Sequence, residues 1–137
     1  MKLYLGLACF VALVGCGNGG QARPASTPAD SEGTELVAAV EGVCAAADKA
    51  SGSIQKARSL FLDEAHDGIH RLADEVASVD RKLAADVLEA KQAVEAAADA
   101  SAGRELQRAL QRLATAGGDA LIALDLETPS CASGGES

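Results

Sequence analysis

Apolar residues recur every three or four positions between residues 34 and 126, and no stretch of this region alternates as a strand would. Residues that commonly cap helices stand where the runs begin: Thr34 before the first, Ser53 before the second and Asp80 before the third. The pattern predicts four amphipathic helices. Their inward residues are expected to be Leu36, Val40, Val43 and Ala47, then Ile54, Phe61, Ala65, Ile69, Leu72 and Val76, then Leu83, Val87, Ala90, Val94 and Ala97, and finally Leu106, Leu110, Leu113, Gly117, Leu121 and Leu124.

Four such helices joined by short breaks predict an all-α fold, an antiparallel up-down-up-down four-helix bundle. The alternative is a three-helix bundle in which residues 54–100 form one long bent helix. Gly117 and Gly118 are expected to kink or split the last helix, since two glycines lower helix propensity by about 2 kcal/mol relative to alanine. Pro129 ends the helical region. The bundle is therefore predicted over residues 34–126, with a C-terminal tail over 127–137.

The chain begins with Lys2 and an apolar run of 12 residues, 3–14, which is typical of a secretory signal peptide and too short to span a bilayer. The run ends in Leu13-Val14-Gly15-Cys16, which resembles the lipobox of bacterial lipoproteins. That resemblance implies a diacylglyceryl group on Cys16 and cleavage just before it, so residues 1–15 would be the signal peptide. It also implies a bacterial cell envelope location: the outer membrane if the host is Gram-negative, because Gly17 stands where aspartate would mark inner-membrane retention, and otherwise the outer face of the cell membrane.

Residues 17–33 are rich in Gly, Ser, Thr, Pro and Ala and lack apolar periodicity, so residues 16–33 are predicted to be a lipidated N-terminus and flexible tether. Cys9 would leave with the signal and Cys16 would carry the lipid, so Cys44 and Cys131 remain. Two remaining cysteines in an exported chain favour a disulfide between them. In the bundle topology the end of the fourth helix lies beside the start of the first, so the tail can run along the first helix and bring Cys131 to Cys44.

Acidic and histidine side chains share an arc of about 100° on one face of the second helix, opposite its apolar stripe: Asp63, His66, Asp67, His70 and Asp74. We expect this face to contact water. His66 and His70, one turn apart, could chelate Cu²⁺, Zn²⁺ or Ni²⁺. Asp63 or Asp67 could add an oxygen ligand. The alternative is a pair of solvated histidines among acidic residues. A metalloprotease HExxH motif is rejected, because Asp67 replaces the catalytic glutamate and Gly68 is expected to interrupt the helix.

Composition limits the classes of function. With 12 Lys and Arg against 20 Asp and Glu, the chain carries a net charge of −8 and no basic block, which disfavours nucleic acid as a partner. Phe61 is the only aromatic residue after Cys16, so rings for base or sugar stacking and for cation cages are missing. No nucleophile elbow or phosphate loop occurs. These observations predict a non-enzymatic envelope lipoprotein without a cofactor, anchored through Cys16, whose bundle is structural or binds another envelope protein. The alternative is a divalent metal-binding or metal-sensing envelope protein using His66 and His70.

Overall fold

The computed structural model describes residues 28–131, with side chains described from residue 31 onward. The predicted signal peptide, Cys16 and tail residues 132–137 lie outside the described residues. No strand occurs in the part of the chain that is described. The helices are α1 (Pro28–Ala50), α2 (residues 54–76), α3 (Arg81–Asp99) and α4 (Gly103–Ala123). The prediction of an all-α fold with four helices is confirmed.

The helix pairs that touch are those of an antiparallel bundle. α1 contacts α2 and α4, and α3 also contacts α2 and α4. The connections, residues 51–53, 77–80 and 100–102, are short, so consecutive helices run in opposite directions. α2 and α4 also touch each other across the bundle. The architecture is therefore the up-down-up-down four-helix bundle.

Ser53 and Asp80 cap α2 and α3 as predicted. The Ser53 Oγ accepts a hydrogen bond from the Lys56 backbone N–H at 3.3 Å, and Asp80 Oδ1 accepts one from the Leu83 N–H at 3.0 Å. Each cap satisfies an amide that has no partner within its own helix. Because Asp80 begins a separate helix after the break at residues 77–80, the alternative of one long helix over residues 54–100 is wrong.

α1 begins at Pro28, well before the predicted cap at Thr34. Proline is tolerated in a first helical turn, since its missing N–H would have no intrahelical partner there. Gly33 lies against the chain that follows α4, and a Cβ at Gly33 would lie 2.9 Å from Leu126 Cδ2. This packing explains why a stretch that composition assigned to the tether is helical. The tether prediction is wrong for residues 28–33, and residues 16–27 lie outside the described part.

The predicted inward stripes form one continuous core. Phe61 is 1% exposed and belongs to this core. Ile54, Leu83, Ala90 and Leu124 are partly buried at the edge of the core. The largest fully buried side chains are Phe61, Ile69, Leu72, Leu106, Leu110, Leu113, Leu121, Val40, Val43, Val76, Val87 and Val94. The apolar spacing of the sequence therefore identified the core correctly.

Gly68 and Gly117 lie where α2 and α4 approach α1 closely, and neither breaks its helix. Gly68 is helical and buried, and a Cβ placed there would overlap the Cβ of Ala39 on α1. A Cβ at Gly117 would lie 3.0 Å from Val40 Cγ2, so α4 also approaches α1 closely. α4 continues through Gly117 and Gly118 without interruption. The expectations that Gly68 interrupts α2 and that the glycine pair kinks or splits α4 are therefore wrong, because packing against α1 outweighs the low helix propensity of glycine.

A disulfide joins Cys44 of α1 to Cys131, 87 residues later, with 5.3 Å between the two Cα atoms. After α4 the chain turns at Asp125, whose φ is 56°, and the Leu126 N–H donates to the Leu121 carbonyl at 2.9 Å. Leu126 lies beside Gly33 of α1 and Cys131 beside Cys44. The tail thus follows α1 along the path that the sequence predicted.

Replacing Gly68 by alanine should destabilise the bundle, because the added methyl group must push α1 and α2 apart at Ala39. The expected loss is about 1–3 kcal/mol in the free energy of unfolding. Gly118→Ala is the matched control, since a Cβ there meets nothing within 4 Å. That variant should gain about 0.5–1 kcal/mol of helix propensity. Urea denaturation of the oxidised protein measures both changes, and a Gly68→Ala variant as stable as Gly118→Ala would contradict the packing described here.

Candidate functional site

A lysine lies inside the bundle. Lys91 of α3 is 3% exposed, and it is the buried charged residue of the described chain. Its Nζ donates to Glu95 Oε1 at 2.5 Å and lies 2.9 Å from His66 Nε2. A buried ammonium is strongly destabilising unless it is paired and hydrogen-bonded. Glu95 and His66 supply that pairing and link α3 to α2.

His66 connects the buried lysine to the surface. Its Nε2 lies 3.0 Å from Glu95 Oε1, and its Nδ1 lies 3.0 Å from Asp67 Oδ1. If the imidazole is neutral with its proton on Nδ1, it donates to Asp67 and accepts from Lys91. If it is cationic, it donates to Asp67 and to Glu95. In both protonation states each ring nitrogen has a partner within the protein.

The expectation that this face contacts water is confirmed for Asp63, Asp67, His70 and Asp74, whereas His66 is only partly exposed. Its side chain is 27% exposed, and its ring meets the Phe61 ring edge-on at 5.9 Å between centroids. α2 consists of an α-helix at Ile54–Leu60, a π-helical turn at Phe61–Ala65 and an α-helix at His66–Val76. The His66 N–H donates to the Phe61 carbonyl, a bond to the fifth residue back that defines π geometry. At a regular 100° per residue, the His66 side chain would point away from that of Phe61. The π turn instead places the His66 ring against the Phe61 ring.

The two carboxylates of this cluster are held in their charged forms. The hydrogen bond from Lys91, followed by that from His66, lowers the pKa of Glu95 below its usual value. The hydrogen bond from His66 is the main cause that lowers the pKa of Asp67. Because the pKa of Glu95 is lower in the folded state, its carboxylate stabilises the fold at neutral pH, and that contribution is lost as the pH falls through the folded-state pKa.

The sequence did not single out Lys91 or Glu95. A signal was present, because Lys91 lies four residues after Val87 and three before Val94, so it falls on the apolar stripe of α3. A charged residue on such a stripe is either buried with partners or extends its head group to solvent. Lys91 is buried with partners because the π turn brings His66 to α3. The sequence does not show this turn. We define the Lys91 cluster as Lys91, Glu95, His66 and Asp67.

The residues predicted to bind metal lie along one stretch of α2 but do not assemble a complete ligand set. His70 is exposed, and its ring meets that of His66 edge-on at 5.2 Å between centroids. Asp63 accepts a hydrogen bond from Ser59 Oγ at 2.8 Å. Among the described residues, no three His, Cys, Asp or Glu side chains are placed to share a metal ion. A metal ion on His66 would have to displace either Asp67 or Lys91.

An open cleft lies beside the disulfide, between α1, α4 and the tail. It measures about 690 Å³ and has amide, hydroxyl and carboxylate groups along its wall: Asp48, Ser51, Gln107, Gln111, Thr115, Asp119, Thr128 and Ser130. Three further hollows lie on the surface of the described chain. Lys91 and Glu95 line none of these four openings.

Comparison with known proteins gives no relative. No protein-family model matches this chain, and neither a curated protein nor a solved structure does. Of the helices formed by residues 28–131, none is long and apolar enough to cross a membrane. Cys16, the predicted lipidation site, lies outside the described residues.

Removing the carboxylate of Glu95 should destabilise the bundle more than removing the ammonium of Lys91. In Glu95→Ala the buried ammonium loses its carboxylate partner, a loss of about 1–3 kcal/mol or more for a charged group. In Lys91→Met the stem is kept, and Glu95, whose side chain is 38% exposed, can still be hydrated. Replacing a buried ion by a hydrophobic side chain of similar shape is often neutral.

Urea denaturation at pH 7 ranks the two variants. Glu35→Ala is the control, because it breaks an exposed ion pair with Arg71 in which each side chain is 55% exposed. Exposed pairs contribute only about 0–1 kcal/mol. A Lys91→Met variant less stable than Glu95→Ala would contradict the role given to Glu95.

Proposed function

We propose that this chain is a lipid-anchored lipoprotein of the bacterial cell envelope, whose helical bundle is a non-enzymatic module that binds another protein or supports envelope structure. The observation that carries the proposal is Leu13-Val14-Gly15-Cys16 at the end of the apolar run 3–14. Acyl chains on Cys16 would hold the bundle at the outer membrane of a Gram-negative host, and otherwise at the outer face of the cell membrane. Each buried CH₂ group contributes about 0.8 kcal/mol, so two or more chains anchor stably.

The cysteine pairing supports export. The two cysteines that processing would leave unmodified, Cys44 and Cys131, are the two that are bonded to each other. Disulfides form and persist in exported proteins, whereas thiols of bacterial cytosolic proteins are kept reduced. The pairing and the lipobox therefore favour the same compartment.

The nature of the interior and of the surface supports a binding or structural role. The polar groups of Lys91, Glu95 and His66 hydrogen-bond to one another. Phe61, the only aromatic residue after Cys16, is 1% exposed and belongs to the core. Among residues 31–131 the surface thus has no phenylalanine, tyrosine or tryptophan ring with which to stack a base or a sugar. Charged and small polar side chains, with the exposed apolar side chains of Leu62, Val79 and Ile122, are what the described surface offers to a partner.

Radiolabelled palmitate should enter the wild-type protein in bacterial cells, and the labelled protein should fractionate with membranes. Cys16→Ser should abolish labelling, because it removes the atom that is acylated. Cys9→Ser is the matched control: it changes a cysteine seven residues earlier, within the signal peptide, and should leave labelling intact. Failure of the wild-type protein to incorporate label, or identical fractionation of Cys16→Ser, would refute the anchor.

A further inference from the structure

One end of the bundle is basic, whereas the rest is acidic. We define the tip as residues 48–58 and 97–108, which include the loops between α1 and α2 and between α3 and α4. The two loops are held together: a Cβ at Gly103 would lie 3.1 Å from Ile54 Cδ1, and Arg58 Nη2 lies 3.3 Å from Asp99 Oδ1. The tip is therefore one surface, at the end of the bundle opposite to the start of α1.

The tip has an excess of unpaired positive charge. It contains five cations, Lys49, Lys56, Arg58, Arg104 and Arg108, against three anions, Asp48, Asp99 and Glu105. In the described structure Arg58 alone among these cations forms an ion pair. The remaining residues between 31 and 131 contain five cations and fifteen anions. The charge is thus separated along the bundle rather than mixed.

A small notch on the α1–α2 face has the opposite character. Its volume is about 290 Å³, and its floor is formed by Ala39 and Gly68, where the two helices approach most closely. Carboxylates surround it, from Glu35, Asp63, Glu64 and Asp67. Leu62, which is 47% exposed, lies at its edge, and the guanidinium of Arg71 pairs with Glu35. We define this site as the notch.

The notch suits the end of a lysine or arginine side chain. Such side chains lay their methylene stems on apolar surface and keep the charged head near water or anions. Ala38 and Leu62, which are both exposed, offer the apolar surface, and the carboxylates offer partners for the charge. The hydrogen bond from His66 lowers the pKa of Asp67, so this carboxylate is ionised at neutral pH. The notch and the tip are therefore complementary in charge.

We propose that the binding partner of this protein is a second copy of the same chain, with cationic side chains of one tip seated in the notch of the other molecule. This inference rests on the binding role proposed above and names its partner. Both surfaces are present on one chain, and they are held apart by the rigid bundle, so each can be satisfied by another molecule. In an antiparallel dimer, each tip contacts the notch of the other copy, so two tip–notch contacts form. In a head-to-tail arrangement, each pair of neighbours forms one tip–notch contact.

A second copy fits better than a polyanion. A membrane of anionic lipids or a nucleic acid would attract the tip but repel the remaining surface, where anions outnumber cations three to one. A second copy brings its own carboxylates to the tip and its own cations to the notch. Anchoring in one membrane would also raise the local concentration of copies, which favours weak contacts.

Exchange of charges between the two surfaces tests the proposal. The protein is purified from cells in non-ionic detergent, and its mass is followed by sedimentation equilibrium. At 0.1 M salt, where the Debye length is about 10 Å, the wild type should form a species of at least twice the monomer mass. At 1 M salt, where the Debye length is about 3 Å, the monomer should predominate. Lys56→Glu/Arg104→Glu in the tip should weaken association at least about tenfold, and so should Asp63→Lys/Glu64→Lys in the notch.

Mixing the two variants should restore association, because each mutated surface then meets an opposite charge on the other variant. Arg81→Glu/Lys82→Glu and Asp74→Lys/Glu75→Lys are matched controls that alter the net charge equally but lie outside both surfaces. They should leave association within about twofold of the wild type. Circular dichroism and urea denaturation confirm that all variants fold, since every substituted residue is exposed.

Carbodiimide cross-linking gives a second, independent readout. This reagent joins a lysine amine to a carboxylate that it contacts. In a mixture of ¹⁴N- and ¹⁵N-labelled protein, peptides of mixed isotope should join Lys49 or Lys56 to carboxylates of the notch.

Three results would overturn the proposal: a wild type that is monomeric at 0.1 M salt, a mixture of variants that stays monomeric, or cross-links of mixed isotope that avoid the notch. Binding of the tip to phosphatidylglycerol vesicles without such cross-links would also overturn it and would assign the tip to the membrane. Palmitate labelling is independent of all these results, so the anchor can stand when the second copy fails.

Discussion

The middle of α1 is held between two helices at distances that only very small side chains permit. Ala39 meets Gly68 of α2, Val40 meets Gly117 of α4, and a Cβ at Gly42 would lie 3.2 Å from the Cβ of Ala65. A chain with one core aromatic and many alanines has little volume with which to fill wide gaps between helices. Close approach of the backbones removes those gaps. The rest of the bundle depends on this arrangement of α1, α2 and α4.

Polar contacts join α3 to α2, and a disulfide joins the C-terminal tail to α1. The α2–α3 contact contains the Lys91 cluster, in which a buried ammonium bonds to Glu95 of its own helix and reaches His66 of the other. The chain after α4 has no helix as far as Cys131, and it is joined to α1 by the Cys44–Cys131 disulfide and by Leu126 beside Gly33. On the chain-entropy account, a cross-link closing a loop of 87 residues stabilises a fold by about 4–5 kcal/mol. That contribution is comparable to the whole net stability of many small domains.

Features that depend on local pattern were predictable from the sequence, whereas features that depend on contacts between helices were not. Apolar spacing located the core, and Ser53 and Asp80 located the starts of α2 and α3. The early start of α1 was missed because packing of Leu126 orders residues that composition describes as a tether. The low helix propensity of glycine predicts interruptions at Gly68 and Gly117, although each is needed where it touches α1.

The candidate site was the least predictable part. A regular helical wheel predicts a solvated face for His66, whereas the π turn at Phe61–Ala65 rotates it toward Lys91. The disulfide was predictable because topology and the number of remaining cysteines both led to it. Its presence in the exported protein is the most direct test of the account: thiols are alkylated in intact cells before lysis, and peptides are mapped without reduction. The account predicts one linked pair containing Cys44 and Cys131, and two alkylated thiols at these positions would contradict it.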